Sequence, residues 1–222
     1  MADLPPIVIV FQTFERTSYA LQAIASVKEN LHYPGGFTWI VADDGSPEPH
    51  VEAVKAAIGS ENIFALSSER RGYGGTANWA WETSFTVKAS PLTLWLEDDW
   101  IVPARADITA YAEILLHHPD IAMVRLAHLP IGLDCKTIGR HHRMFLHIQA
   151  TTDYMFSGNP SLRHTRFFSA FGWYPEGHDP GRTEIEYDFS IRKKGSEPKI
   201  IRPVDLATWG IFGHIGEVRS YG

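Results

Sequence analysis

Three consecutive acids, Glu97-Asp98-Asp99, end the apolar run Leu94-Trp95-Leu96. Two like charges ~4 Å apart cost about 4 kcal/mol at an effective dielectric of about 20. A divalent cation relieves that repulsion, and carboxylate oxygens suit Mg2+ or Mn2+. The apolar residues ahead of the trio, and Trp100-Ile101-Val102 behind it, argue against a merely solvated turn. A second acidic pair, Asp43-Asp44, follows apolar Ile40-Val41-Ala42 and precedes Gly45-Ser46. Carboxylates there can accept from a nucleobase or from ribose hydroxyls, although Asp-Gly-Ser also simply makes a turn. His214 lies between glycines in Phe212-Gly213-His214-Ile215-Gly216, where a neutral imidazole can complete a cation's coordination. A late group of acids, Glu184, Glu186 and Asp188, offers a general base. On a helix Glu184 and Asp188 share a face and Glu186 points elsewhere. The plainer reading of these acids is a charged helix start favoured by the dipole.

Gly72-Tyr73-Gly74-Gly75-Thr76-Ala77 fits the dinucleotide-binding pattern G-x-G-x-x-G/A, with Glu97 about 20 residues further on. Against an oxidoreductase, Ser67 to Arg70 separate these glycines from the preceding apolar run, where the fingerprint requires an immediate turn. The other use of such a loop is close backbone approach to a nucleotide, with Arg70 or Arg71 facing a phosphate or base. His117-His118 ends a helical pattern and complements its dipole. His141, His142 and His147 receive no role.

These groups need elements to place them. Ile7 to Val10, Phe37 to Ala42, Ile63 to Leu66, Leu92 to Leu96 and Ile121 to Leu126 read as buried strands. Helical periodicity follows Thr17 or Ser18 as N-cap, covers Val51 to Ile58, and spans about Thr76 to Lys88, then Asp107 to His117. Strands alternating with helices imply βαβ units and an α/β, doubly wound, mostly parallel sheet. Ligands on such sheets bind beyond the carboxyl ends of the strands. The polar clusters 12–16, 43–46 and 97–99 all fall there, so they should converge. After about residue 127 the pattern loosens. Met144 to Ile148 and Tyr154 to Phe156 suggest antiparallel strands, residues 175–183 a polar loop, and Glu184 to Lys194 a helix stopped by Gly195.

Composition sets the outer bounds. The 222 residues, 44% hydrophobic and 21% charged, suit one globular core and exclude disordered, collagen-like and coiled-coil chains. Acids outnumber bases 26 to 20, and the net charge of −6 argues against a nucleic-acid coat or an anionic-membrane binder. A single cysteine, Cys135, fits a reducing cytoplasm and excludes an internal disulfide. No signal peptide or spanning segment is evident, so a soluble, cytoplasmic protein is expected.

Taken together, the segments resemble the family 2 glycosyltransferases of the GT-A fold, over about Ile7 to Gly216. Gln12-Thr13-Phe14-Glu15-Arg16 resembles the family's Pro-Thr-Tyr-Asn-Arg, with proline replaced and Phe14 for tyrosine. Val41-Ala42-Asp43-Asp44-Gly45-Ser46 resembles Val-Asp-Asp-Gly-Ser, and Arg71 to Asn78 resembles Asn-x-Gly-x-x-x-Ala-x-Asn. Glu97-Asp98-Asp99 is similar to the DxD-type metal motif, with Glu in first place. Ser157 to Arg163, then Phe171-Gly172, resemble the acceptor-side segment, and Glu186 to Arg192 resembles Glu-Asp-x-Asp-Leu-x-x-Arg.

The resemblance implies a single GT-A domain over 1–222, with 1–126 binding a nucleotide sugar and a smaller mixed region, 127–222, binding acceptor and carrying the base. It implies that Thr13, Phe14, Asp43 or Asp44, and Arg71 hold base and ribose. Arg16, Gly74, Asn78 and Asp98 belong to the same nucleotide site. Asp99 would bind Mn2+ or Mg2+, with His214 as a further ligand. Glu186 aligns with the family's catalytic Asp, while Glu184 and Asp188 stay as alternates because Ile185 stands where the family has Glu. The expected activity is metal-dependent, inverting transfer of one sugar from a nucleotide-diphosphate sugar, UDP-linked by preference, to an unidentified acceptor (a glycan, a small molecule or a modified polymer), with no membrane span. Trp173, Tyr174 and His178 are candidates for stacking on a sugar or base. The alternatives are a nucleotidyltransferase of similar fold and a non-catalytic sugar-binding relative.

Overall fold

Apolar alternation dictates two packed faces. In strand β1 (Ile7–Thr13) every residue is buried. Ile7, Ile9 and Phe11 join one hydrophobic cluster, and Val8 and Val10 join the other, as side chains of period two must. The structure, a computed structural model, describes residues 4–87, 90–127, 137–141, 145–148, 150, 155–195, 197–203 and 210–216. After β1 come α1 (Thr17–Asn30), β2 (Leu31–His32), β3 (Phe37–Asp43), α2 (Glu48–Ile58) and β4 (Ile63–Leu66). Then follow α3 (Gly72–Val87), β5 (Leu92–Glu97), β6 (Trp100–Ile101), β7 (Ala106–Asp107), α4 (Thr109–His117) and β8 (Ile121–Arg125). The remainder is β9 (Thr137–His141), β10 (Phe145–Ile148), β11 (Ser161–His164), α5 (Arg166–Phe171), α6 (Pro180–Lys194), β12 (Lys199–Pro203) and β13 (Gly213–His214).

Among the described residues, nine strands form one sheet in the order β4-β3-β1-β5-β11-β8-β12-β10-β9. The pairs β1–β3, β1–β5 and β3–β4 are parallel. β11 runs antiparallel to both its neighbours, β5 and β8. Of the later strands, β11 is inserted between β5 and β8, while β12, β10 and β9 extend the sheet beyond β8. Helices α1, α2 and α4 cover one face through Ala20, Ile24, Val54 and Leu115. Helices α3, α5 and α6 cover the other through Trp81, Phe167, Tyr187 and Ile191. Among the described residues no helix is long and apolar enough to cross a membrane.

The chain steps outward from β1 to β3 and β4, then returns to β5 on the other side of β1. The strand order thus reverses between β1 and β5, and a crevice opens beyond their carboxyl ends. Register puts Gln12 level with Glu97, and Thr13 level with Asp43.

Several expectations need correction. Helix α3 starts at Gly72, so the glycine segment is its first turn and not a loop. Helix α6 starts at Pro180, inside the stretch read as a polar loop, because Asp179 caps it by accepting from the Arg182 N–H. Neither Thr17 nor Ser18 caps α1; the N-cap is Arg16, without a side-chain hydrogen bond, since the Thr17 hydroxyl pairs instead with His50. Met155 and Phe156 form no strand. Cys135, His142, Met144 and Tyr154 lie outside the described residues.

Candidate active site

At the strand-order reversal lies a cleft of about 460 Å³, within the range of small-molecule sites. Residues from β1 and its following turn line it (Gln12, Thr13, Phe14, Arg16), with Asp44 after β3 and Glu97, Asp98 and Asp99 after β5. Arg70, Tyr73, Gly158, Glu184 and His214 complete its chemistry. The three polar clusters read from the sequence do converge.

Asp98 is the hub. Its Oδ2 accepts from the Thr13 hydroxyl at 2.9 Å and from the Phe14 N–H at 3.2 Å, and its Oδ1 accepts from Arg16. Burial raises the Asp98 carboxyl to about 6 despite Arg16. Arg16 reaches Asp99 Oδ2 with its other nitrogen at 2.6 Å, so one guanidinium bridges both acids. Burial also pushes the Asp99 carboxyl up, but His214 and Arg16 outweigh it and hold Asp99 below its ordinary value. The turn that aims Arg16 passes through Glu15, whose φ of 58° is uncommon for a side-chain-bearing residue.

Behind Thr13 sits His50, a residue the sequence reading passed over. The Thr13 hydroxyl has one proton and gives it to Asp98, so at His50 Nε2, 3.0 Å away, it must accept. The ring proton is therefore on Nε2, and Nδ1 accepts from the Thr17 hydroxyl at 2.9 Å. Burial lowers the His50 pKa, which keeps the ring neutral. A signal existed: His50 shares the buried stripe of α2 with Val54 and Ile58.

The opposite wall is built around Gly158. Its N–H donates to Glu184 Oε1 at 2.6 Å. Beside it the Tyr73 hydroxyl donates to Glu97 Oε1, also at 2.6 Å. A Cβ at 158 would sit 2.5 Å from the Tyr73 hydroxyl and 2.8 Å from Glu97 Oε1, so any other residue there would have to displace that hydrogen-bonded pair. Burial, reinforced by Asp99, raises the Glu97 carboxyl to about 8. Burial likewise raises Glu184.

Other expected residues lie elsewhere, each for a visible reason. Arg71 stacks on Trp79 at 4.3 Å, and it is Arg70 that faces the cleft, 4.0 Å over the Phe14 ring. Gly74 faces the Pro175 carbonyl, which a Cβ would approach to 2.0 Å. Asn78 pins residues 174–176 through both the backbone of Tyr174 and Glu176 Oε1. Asp43 Oδ1 accepts from the Gly45 and Ser46 N–H groups and shapes their turn. Asp44 lines the cleft, but its Oδ1 also accepts from Arg71 N, Gly72 N and the Thr76 hydroxyl. Glu186 points outward to Arg182 at 2.8 Å and His178 at 3.1 Å, and the Arg182 hydrogen bond lowers its pKa. Asp188 is buried, accepting from Phe156 N and Arg192 Nε. Tyr174 stacks on Tyr187 in the core, 4.3 Å between centroids, while Trp173 is 52% exposed and lines no part of the cleft.

The cleft suits a divalent ion. Even with Glu97 protonated, the lining acids Asp44, Asp98, Asp99, Asp179 and Glu184 outnumber the arginines Arg16 and Arg70, so an anionic substrate alone would be repelled. Asp99 Oδ1 is buried with no hydrogen-bond partner among the described residues. His214 Nε2 lies 3.5 Å from Asp99 Oδ2. The Gly216 backbone closes over both: a Cβ there would meet Asp99 Oδ2 at 2.7 Å and His214 Nε2 at 3.0 Å. No group of three or more His, Cys, Asp or Glu side chains able to hold a metal occurs among the described residues. One carboxylate with substrate phosphate and water is a common Mg2+ arrangement, and the His214 imidazole departs from that all-oxygen set.

No protein-family model matches this sequence, and no curated protein is significantly similar to it. Solved structures are. TarS from S. aureus superposes with a TM-score of 0.64 at 11% identity, over 92% of this chain and 36% of TarS. TarS 1–349 in complex with UDP-GlcNAc gives 0.62 at 11% identity, over 96% and 61%. The mannosyltransferase PcManGT from Pyrobaculum calidifontis, in complex with GDP-Man and Mn2+, gives 0.58 at 16% identity, over 98% and 58%. This chain thus spans between about a third and three fifths of those chains. Its sheet, its reversal point and these neighbours agree: the chain has the GT-A glycosyltransferase fold.

Proposed function

We propose that this protein transfers one sugar from a nucleoside-diphosphate sugar to an acceptor hydroxyl, with inversion and with the help of a divalent metal. The observation that carries this reading is the acid-rich cleft at the reversal of strand order, with Asp98 and Asp99 at its floor and Glu184 on its wall. Structural neighbours that bind UDP-GlcNAc and GDP-Man support it. Asp99 and His214 would hold the ion, which supplies positive charge to the departing diphosphate.

The remaining chemistry belongs to the chain. Thr13, Phe14 and Asp44 border the nucleoside end, and Arg70 over Phe14 brings a cation within reach of base or phosphate. Glu184 takes the proton as the acceptor oxygen attacks the anomeric carbon, and the nucleoside diphosphate leaves from the opposite face. Burial raises its pKa, which strengthens it as a base at neutral pH. Glu184 thus takes the role that alignment gave to Glu186, whose carboxylate is spent on exposed ion pairs.

A screen of UDP- and GDP-linked sugars against candidate acceptors, with Mn2+, tests the reaction. Glu184→Gln should lower turnover by about 10²-fold or more, the usual worth of a general base, with nucleotide affinity unchanged. Glu186→Gln should turn over within a factor of two of wild type. The reverse pattern would return the base to Glu186.

A further inference from the structure

The Arg16 guanidinium holds the Asp99 oxygen that faces His214. Its Nη1 donates at 2.6 Å to Asp99 Oδ2, and that same oxygen lies 3.5 Å from His214 Nε2. An ion shared by Asp99 and His214 would therefore meet a second positive charge on one carboxylate oxygen. One Arg16 donor is left unmet by this bridge: the Nε is buried with no hydrogen-bond partner among the described residues, although guanidinium carries five donors. The side chain is 19% exposed, and Arg16 lines the cleft. A planar fork of this kind recognises phosphate in two-pronged fashion.

We infer that Arg16 is a resident counter-ion that the metal–diphosphate pair displaces. In the empty cleft it offsets part of the charge of Asp98 and Asp99 and resists metal alone. When the nucleoside diphosphate arrives, its phosphate oxygens draw the guanidinium off Asp99, and the ion takes the vacated oxygen. Metal and nucleotide then bind with positive coupling, and the coupling is reciprocal by linkage. No bond is made or broken; one cation replaces another. This inference rests on the metal reading above and adds an order of assembly to it.

The test is Mn2+ titration followed by electron paramagnetic resonance, with and without UDP or GDP, on wild type and Arg16→Gln. Circular dichroism confirms folding, and Arg16→Lys, which keeps the charge, serves as the second variant. Without nucleotide, Arg16→Gln should bind Mn2+ at least tenfold more tightly than wild type. Nucleotide should tighten Mn2+ binding strongly in wild type, several-fold less in Arg16→Gln, and to an intermediate degree in Arg16→Lys. Equal or weaker Mn2+ binding by Arg16→Gln, with normal wild-type binding, overturns the inference and leaves the metal reading standing. Absence of Mn2+ binding from wild type and Arg16→Gln, with and without either nucleotide, removes the metal reading and this inference with it.

Discussion

Glu97 keeps its proton longer than a carboxyl ordinarily does, and that preference must appear in stability. Its folded value is about 8 against an ordinary 4.5. Between those limits the folded protein binds more protons than the unfolded chain, so stability falls as pH rises, by up to about 1.4 kcal/mol per pH unit. Asp98, raised to about 6, adds to the same slope at the acid end. We expect the metal-free melting temperature to decline from pH 6 to 8, and Glu97→Gln to flatten most of that decline. An undiminished slope in the variant would place the proton elsewhere. The residue types of the cleft were legible because acids after an apolar strand have few bland uses. Which of two adjacent arginines faces it was not. Arg70 and Arg71 differ only in which way the backbone turns into α3, and Trp79, one of the residues that decides this, lies on the following turns.

Among the elements, α3 shows why local pattern fell short. Gly72-Tyr73-Gly74-Gly75 is a poor helix start by propensity, since each glycine costs about 1 kcal/mol against alanine. The helix begins there because Asp44 accepts from Arg71 N and Gly72 N, a cap supplied across 28 residues that no window around residue 72 contains. Gly74 then lets the helix lie against the backbone of Pro175. Alanine at 74 would improve propensity and still lose, because the 2.0 Å approach is to a carbonyl that cannot swing aside. Overpacking of this kind costs about 1–3 kcal/mol. Gly74→Ala should lower the urea midpoint, whereas Gly177→Ala, at a φ of 79° with nothing within 4 Å of its Cβ, should show only the smaller strain of its backbone. The strands β1, β3, β4, β5 and β8 were easier to read, each a short apolar run between turn residues, whereas β9 (Thr-Ile-Gly-Arg-His) and β11 (Ser-Leu-Arg-His) carry no such run and were missed.

For the molecule as a whole, the sheet order explains why the cleft lies where it does and why its walls come from distant sequence. β11 enters between β5 and β8, so Gly158 and Glu184 face Glu97 across the same opening. That placement was hidden because the residues after 127 carry weak periodicity, and antiparallel insertion has no sequence signature of its own. Ligand binding should tie these parts together. At a donor concentration about a hundredfold above Kd the native state gains about 2.7 kcal/mol. That corresponds to a rise in melting temperature of about 5–10 °C for a chain of this size. The rise should require Mn2+ and should be lost in Asp99→Asn; a nucleotide sugar that gives the same rise without metal would contradict the ionic site.

One small ladder has a larger consequence. Gly213 and His214 reach the cleft by pairing with Ile101 and Trp100, and His214 packs edge-on against the Trp100 ring at 4.9 Å. The imidazole therefore arrives on a two-residue ribbon, flanked by buried Phe212 and by Ile215, whose N–H donates to the Asp99 carbonyl at 2.9 Å. An ion gripped jointly by the ribbon and the acid strand would act as a clasp, so unzipping the ribbon and emptying the metal become the same event. Amide exchange along residues 211–215 would then report occupancy as directly as a metal titration does.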